Sequence, residues 1–295
     1  MKSMGVPMRK YLMILMAITA ISFPSWSRDE KLNVKVLYTG TISPPEAETI
    51  KGGSWFKKFS MVHPAFFIQH PKGTFLFDTG LGHSIKTQVK DMVWWARSAT
   101  KFIQKESAAD QLKALGLKAD RIILSHAHFD HSSGLIDFPS VPVEVLQEEL
   151  DFLKTKNASP AIFPSLFNEQ IVWQTYTLEN KSYEGYAKSR DIFGDGSLIL
   201  VGMPGHSPGS VGLFINLASG KRAFLVGDTV WNSDGITKGL PKFWISSKFA
   251  DNKPDEVMTR ILELQALQKK YPDLLIVPSH DAKAVGAFEE MMNRN

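Results

Sequence analysis

The six residues His126-Ala-His128-Phe-Asp130-His131 gather three imidazoles and a carboxylate into one short stretch of this chain. His126 and His128 follow the apolar run Arg121–Leu124. In extended chain, residues i and i+2 face the same way, so both rings can reach one cation. Asp130 and His131 follow where the chain must turn, and their offset lets them face a second cation beside the first. Packing such groups at the end of a buried strand is costly unless they are satisfied. Zinc satisfies them, taking His nitrogen and Asp oxygen as ligands. The plainer reading is a helix start with an Asp cap and solvated histidines, and the H-x-H-x-D-H spacing after a buried strand weighs against it.

Three more strand ends deliver residues of the same type. His206 lies in Pro204-Gly-His206-Ser-Pro208-Gly209, a loop stiffened on both sides, after the apolar run Leu198–Val201. Asp228 follows Ala223–Val226 through Gly227, and a carboxylate placed there can bridge two cations with its two oxygens. His280 follows Leu274–Val277 through Pro278-Ser279, with Asp281 beside it read as a helix cap rather than a ligand. His126, His128 and His206 form a three-histidine set. Asp130, His131, Asp228 and His280 would hold the second metal. His63, His70 and His83 match no ligand position and read as structural or surface residues.

The elements that must position these groups alternate between strand and helix. Strands are predicted at Asn33–Tyr38, Ala65–Gln69, Thr74–Phe77, Arg121–Leu124, Val143–Leu146, Ile171–Thr175, Leu198–Val201, Val211–Asn216, Ala223–Val226 and Leu274–Val277. Pro71-Lys-Gly73 marks a hairpin, and Asp78-Thr-Gly80 ends its second strand. Helices are predicted at Ile85–Lys105, Ala108–Leu115, Gln147–Lys154, Glu256–Lys269 and Ala282–Met292, with a long loop at Thr41–Ser60. No fixed-period repeat interrupts the pattern. A single α/β domain with sheets inside and helices outside is the simplest packing.

Composition sets the remaining bounds. With 43% hydrophobic and 22% charged residues, the 295-residue chain has an ordinary globular balance. Lys2, Arg9 and Lys10, the apolar run Tyr11–Phe23 and Ser25-Trp26-Ser27 have the layout of a secretory signal peptide. Ala17-Ile-Thr-Ala20 offers a second cleavage site, and an uncleaved N-terminal anchor is the alternative; the run is shorter than the roughly 20 residues of a membrane span. Residues 1–27 are therefore expected to be a leader and 28–295 the mature domain, periplasmic or secreted. The net charge of +4 shrinks on removal of that leader, because 34 basic residues become 31 against 30 acidic. A net +1 gives no reason to bind nucleic acid or acidic membranes. Cysteine is absent, so any metal site must use His and carboxylate ligands.

From Asp78-Thr-Gly80 to Pro278-Ser-His280-Asp281 the chain resembles the metallo-β-lactamase superfamily, and the H-x-H-x-D-H block is specific for it. The resemblance implies an α/β fold, the αββα sandwich, with two facing mixed β-sheets and outer helices. It implies that His126, His128 and His206 hold one metal, that Asp130, His131 and His280 hold the other, that Asp228 bridges, and that Asp78 supports the centre from behind. The set looks like that of the N-acyl-homoserine lactone lactonases and of the glyoxalase II type of thioesterase. Two positions depart from the lactonases: Trp231 stands where they carry a tyrosine that helps polarise the substrate carbonyl, and Ser133-Gly134 stands where they commonly have Gly-Gly.

The implied activity is a two-zinc hydrolase of a small ester, lactone or amide, in which a metal-bridging hydroxide attacks the carbonyl. Asp130 is the candidate catalytic residue, orienting the nucleophile or returning a proton to the leaving group. The same donors accept Mn, Fe or Co. Thioester or phosphoester hydrolysis on the same centre is the nearest alternative, and a non-hydrolytic metal-binding or redox protein is the alternative from another class. Trp231, Trp94 and Trp95 are candidate walls of the substrate pocket. The expected partner is a small molecule.

Overall fold

Alternating side chains build two sheets. The computed structural model describes residues 32–92, 94, 97, 101–155, 159–163 and 170–294. The expected leader, residues 1–27, and Trp95 lie outside these described residues. The first sheet contains β1 (Asn33–Ile42), β2 (Met61–His70), β3 (Gly73–Phe77), β4 (Ile103–Gln104), β5 (Arg121–Ile123), β6 (Pro142–Leu146) and β7 (Val172–Tyr176), in spatial order β4-β1-β2-β3-β5-β6-β7. The second contains β8 (Ser189–Asp191), β9 (Leu198–Gly202), β10 (Val211–Asn216), β11 (Arg222–Leu225) and β12 (Leu274–Val277), in order β12-β11-β10-β9-β8. Both sheets are mixed. β3, β5, β6 and β7 run parallel to one another, as do β11 and β12, and the other pairs are antiparallel.

The helices are α1 (Glu46–Thr49), α2 (Ile85–Gln88), α3 (Ala108–Ala114), α4 (Phe129–Ser132), α5 (Gln147–Lys154), α6 (Asp234–Lys238), α7 (Trp244–Ala250), α8 (Pro254–Lys270) and α9 (Ala282–Asn293). The two-residue period of the strands sorts their apolar side chains into three layers. Phe66, Ile68, Phe75 and Phe77 from the first sheet meet Leu198, Leu200, Leu213 and Leu225 from the second, forming the central core. Phe67, Leu76 and Ile122 face outward toward Ile85 of α2 and Ala108 and Leu112 of α3. Ile199, Phe214, Phe224 and Ile276 face outward toward Val257, Ile261, Leu264 and Leu267 of α8. These layers make the αββα sandwich, and Lys31–Asn295 is one compact unit.

α8 shows why the sequence folds as it does locally. Pro254 occupies its first turn, where a missing N–H costs nothing. Asp255 and Glu256 sit at its positive end, and Lys269 and Lys270 at its negative end. Its buried residues recur at helical spacing, so one stripe packs on the sheet. α9 starts at Asp281, whose Oδ1 accepts from the N–H groups of Lys283 and Ala284 at 3.0 and 3.2 Å. Asp281 is thus the cap that its sequence position predicts.

Two segments differ from the sequence expectation. Ile85–Lys105 is not one helix: the helical turn α2 leads into a 3-10 turn at Val89–Asp91, and the extended backbone of Met92 ends it. Further along, Ile103–Gln104 pairs with Gly40 and Thr41 as an edge strand, so sheet hydrogen bonding overrides helical propensity there. The expected loop Thr41–Ser60 contributes its first two residues to β1 and carries one helical turn, α1. β8, α6 and α7 have no counterpart in the sequence reading. Among the described residues no helix is long and apolar enough to cross a membrane.

Candidate metal centre

Parallel pairing puts the C-terminal ends of β3 and β5 at one edge, and the ends of β11 and β12 likewise share an edge. Asp78 leaves β3, the His126–His131 segment leaves β5, Asp228 leaves β11 and His280 leaves β12. His206 comes from the β9–β10 loop. A left-handed glycine, Gly227 at φ +54°, turns the chain from β11 into Asp228. Asp78 itself has φ +61°, a strained conformation for a residue with a side chain.

The ligand-type atoms fall into two groups, each within 4.8 Å: His126, His128 and His206, and Asp130, His131, Asp228 and His280. Asp228 reaches both. One oxygen lies 3.0 Å from His131 Nε2, and the other lies 3.0 Å from His280 Nε2 and 3.6 Å from His206 Nε2. All seven residues predicted from sequence are therefore brought together.

Each of the five histidines is anchored through one ring nitrogen, which leaves the other for the centre. His131 Nδ1 bonds Asp78 Oδ2 at 2.7 Å. His206 Nδ1 bonds Asp251 Oδ1 at 2.7 Å, and His280 Nδ1 bonds the Val62 carbonyl at 2.8 Å. His126 Nδ1 lies 3.0 Å from Ser125 Oγ, which itself donates to Asp78 Oδ2. His128 is held in the opposite sense, through Nε2 to Ser159 Oγ at 3.3 Å.

This anchoring makes the site fit a cation. A carboxylate accepts only, so Asp251 fixes the proton of His206 on Nδ1, and Ser125 does the same for His126. Their Nε2 atoms then face each other at 3.1 Å with a lone pair on each. That contact is repulsive unless a positive charge lies between them. His131 Nε2 and Asp228 Oδ1 are buried, 3.0 Å apart, and yet not aligned as a hydrogen bond. Ligand-type atoms packed against one another at this depth cost free energy that a divalent ion recovers.

Electrostatics divides the two sets. Burial and the neighbouring imidazoles push His126 far below the ordinary histidine range, and burial takes His128 down to about 3. Burial also lowers His206, assisted by the Lys242 ammonium. The second set is charged. Against the cost of burial, Asp228 and Asp78 hold His131 well above its ordinary value, and Asp228 and Asp130 hold His280 at about 10. Burial works against Asp130 and Asp228 too, but their histidine partners keep both carboxyls ionised.

Metal uptake by the second set must therefore displace protons. The raised His280 stabilises the metal-free fold fully below about pH 6.5, its unfolded value, and that contribution is lost as pH rises through about 10. At about pH 8 the His280 ring still carries its extra proton, so binding is expected to release protons, and apparent affinity should fall on acidification. Titration calorimetry in buffers of different ionisation enthalpy measures this; heats independent of the buffer would contradict the charge assignment.

Sequence reasoning missed the groups behind the ligands. Glu149 of α5 is buried, and burial raises its carboxyl. Its oxygens accept from Ala127 N–H at 2.8 Å, Gly209 N–H at 3.0 Å and the Ser207 hydroxyl, tying the loop of His126 to the loop of His206. Asp251 accepts from Lys242 Nζ at 2.7 Å and Ser247 Oγ at 2.6 Å as well as holding His206. The Lys242–Asp251 pair has no exposed side-chain surface. None of these lies in a recognisable motif; only proximity in the fold reveals them. His63, read from sequence as structural or surface, is buried and borders the cleft with Nδ1 3.5 Å from Asp130 Oδ2. His70 and His83 stay away from the centre, paired with Asp195 and Asp110.

A cleft of about 250 Å³ opens over the second set, walled by Ile42, Met61, Phe102, Phe129, Trp231 and Phe249 among others. The Trp231 indole N–H donates to Asp228 Oδ2 at 2.9 Å, and Lys242 Nζ lies 5.4 Å from its ring centroid. Trp94 is 73% exposed and does not border this cleft.

A family model described as the metallo-beta-lactamase superfamily matches residues 61–280. An N-acyl homoserine lactonase, AttM, of Rhizobium radiobacter is 27% identical over 241 residues, 77% of this chain and 84% of that protein. A solved N-acyl homoserine lactone hydrolase with N-hexanoyl-L-homoserine at its catalytic metal centre superposes with a TM-score of 0.66 at 19% identity, covering 88% of this chain and 96% of the other. AidC, described as a dizinc quorum-quenching lactonase, gives 0.58 at 18% identity, covering 84% and 87%.

Proposed function

From the premise that this chain belongs to the metallo-beta-lactamase superfamily and is a metal-dependent hydrolase with a binuclear site, we propose that it uses two zinc ions to cleave a small ester, lactone or amide. A lactone is the first candidate. The observation that carries this reading is Asp228, whose two oxygens touch histidines of both ligand sets. The AttM resemblance supports the lactone, and the dizinc AidC supports zinc. The same nitrogen and oxygen donors accept Mn, Fe or Co.

Two divalent cations held by His126, His128 and His206 and by Asp130, His131, Asp228 and His280 would supply an acidified water and an electrophile for the substrate carbonyl. The chain's own residues do the rest. The apolar walls of the cleft receive the acyl portion and exclude bulk water. Trp231 serves as a wall: its indole N–H is committed to Asp228, so it does not take over the carbonyl contact of the lactonase tyrosine. Asp130 borders the cleft with its carboxylate ionised, placed to orient the attacking water and then carry a proton to the leaving oxygen.

The test is a panel on zinc-loaded protein: acyl-homoserine lactones, aryl esters, a β-lactam, a glutathione thioester and a phosphotriester. Lactones and aryl esters are expected to turn over, with activity lost on chelation and regained with zinc. Turnover confined to the thioester or the phosphotriester would move the assignment to that chemistry. We also propose that the chain is exported to the periplasm or beyond, residues 1–27 acting as the signal peptide and 28–295 as the mature domain. N-terminal sequencing of protein recovered outside the cytoplasm is expected to begin at residue 28; an intact Met1 terminus would refute cleavage.

A further inference from the structure

The β1–β2 pairing is irregular beside the centre. Pro64 has no N–H to give to the ladder, and the register slips between Tyr38 and Gly40. Thr39, at the slip, donates its hydroxyl to the His63 carbonyl at 2.6 Å. This fixes the start of β2 against the loop of His280: Val62 N–H donates to the His280 carbonyl at 3.2 Å, and His280 Nδ1 returns a bond to the Val62 carbonyl at 2.8 Å. The next side chain, His63, is buried and packs edge-on against the His280 ring, with centroids 5.1 Å apart. Its Nδ1 is fully buried without a well-aligned hydrogen-bond partner, and it lies 3.5 Å from Asp130 Oδ2.

His280 Nε2 approaches that same oxygen at 3.2 Å. The two imidazoles are not equivalent once a cation is present. His280 Nε2 must then offer its lone pair and can no longer donate to Asp130. A neutral His63 with its proton on Nδ1 keeps a donor there, one with an otherwise unmet need for an acceptor.

We propose that His63 is a positioning residue for Asp130: its Nδ1–H holds the carboxylate of Asp130 in place when the second ligand set is filled. This rests on the metal-centre reading given above. Two adjacent residues of β2 then brace that set, Val62 through its carbonyl on His280 and His63 through its ring on Asp130. Partners that orient a ligand from behind are worth about 10–100-fold in metal affinity when removed.

Cobalt(II) titration of the metal-free full-length chain, read by its visible absorption, tests this without a substrate. The wild type is expected to take up two equivalents. His63→Phe keeps an aromatic ring against His280 and removes the donor; the second equivalent should bind about 10–100-fold more weakly, with the first unchanged. His63→Asn places an amide N–H close to the position of Nδ1 and should restore most of the affinity, whereas the equally sized His63→Leu should not. The Asn and Leu variants lose the ring alike, so their comparison decides the matter even if His63→Phe fails to fold. Equal second-site affinity in Asn and Leu variants, or parallel loss of both equivalents, would overturn the proposal. A wild-type chain that takes only one equivalent would instead overturn the metal-centre reading beneath it. Where a panel ester is turned over, His63→Phe is expected to lower kcat with little change in KM.

Discussion

Asp228→Ala is expected to fold and to lose the two-metal centre, with metal content falling from two ions per chain to at most one. Turnover of any panel substrate should fall by at least about a thousandfold. The number follows from the several kcal/mol that a metal pair contributes to the transition state; about 4 kcal/mol is a factor of about 10³. Asp228 is the position of greatest leverage because its carboxylate contacts His131, His280 and His206, members of both sets. The variant also removes the acceptor of the Trp231 indole, so the cleft wall loses its tether. Plasma emission spectrometry on dialysed protein and far-UV circular dichroism separate the outcomes. An Asp228→Ala protein with two tightly held ions and full turnover would remove the bridging role and the mechanism built on it.

Lys242→Met should destabilise the metal-free protein by about 3–5 kcal/mol, the cost of stranding one member of a buried ion pair. For a domain of this size that is a fall in Tm on the order of 10 °C. The Lys242 ammonium donates to Asp251 at 2.7 Å and to the Thr229 carbonyl at 3.2 Å, and its side chain has no exposed surface. Methionine fills a similar volume, so the loss is of charge rather than packing. Asp251 is left with His206 and Ser247 as partners. Its carboxylate now lies well below the ordinary range: burial opposes ionisation, but Lys242 and His206 more than offset it. The depressed carboxyl stabilises the fold above its unfolded value of about 3.9 and ceases to as pH falls through its folded value. Wild-type stability should therefore decline on acidification from about pH 4, with the variant declining less steeply. Calorimetric melting of both proteins across that range checks the two claims; coincident melting curves at neutral pH would show that the pair contributes nothing.

Much of the centre was readable in the sequence because strand geometry is local. His126 and His128 two residues apart after an apolar run, and Asp228 and His280 after two others, identify ligands by type and by position at strand ends. Asp281 was separable from them because a carboxylate opening an apolar helix has a nearer task. Val211–Asn216, Leu274–Val277 and Gln147–Lys154 matched their expected bounds, since their patterns are bounded by clear turn or cap signals. Ile85–Lys105 failed where its tail was recruited to the edge of β1, a long-range hydrogen-bonding choice that no local pattern records.

The amino-acid order alone thus determined which side chains could bind metal and that strands and helices alternate in one α/β domain, since both follow from periodicity and residue type within short windows; the two-sheet sandwich was what the family resemblance implied. Only the tertiary structure decided what stands behind each ligand. Glu149 cross-links two loops from a helix, Lys242 and Asp251 reach His206 from beyond β11, and His63 meets Asp130 across 67 positions of chain. Such contacts depend on sheet register and on which loops share an edge, and an imidazole just before the expected strand Ala65–Gln69 reads from sequence as a structural or surface residue rather than as part of a metal site. The convergence itself was inferred; the direction of each ring nitrogen, and so the sense in which each histidine is anchored, belongs to the fold.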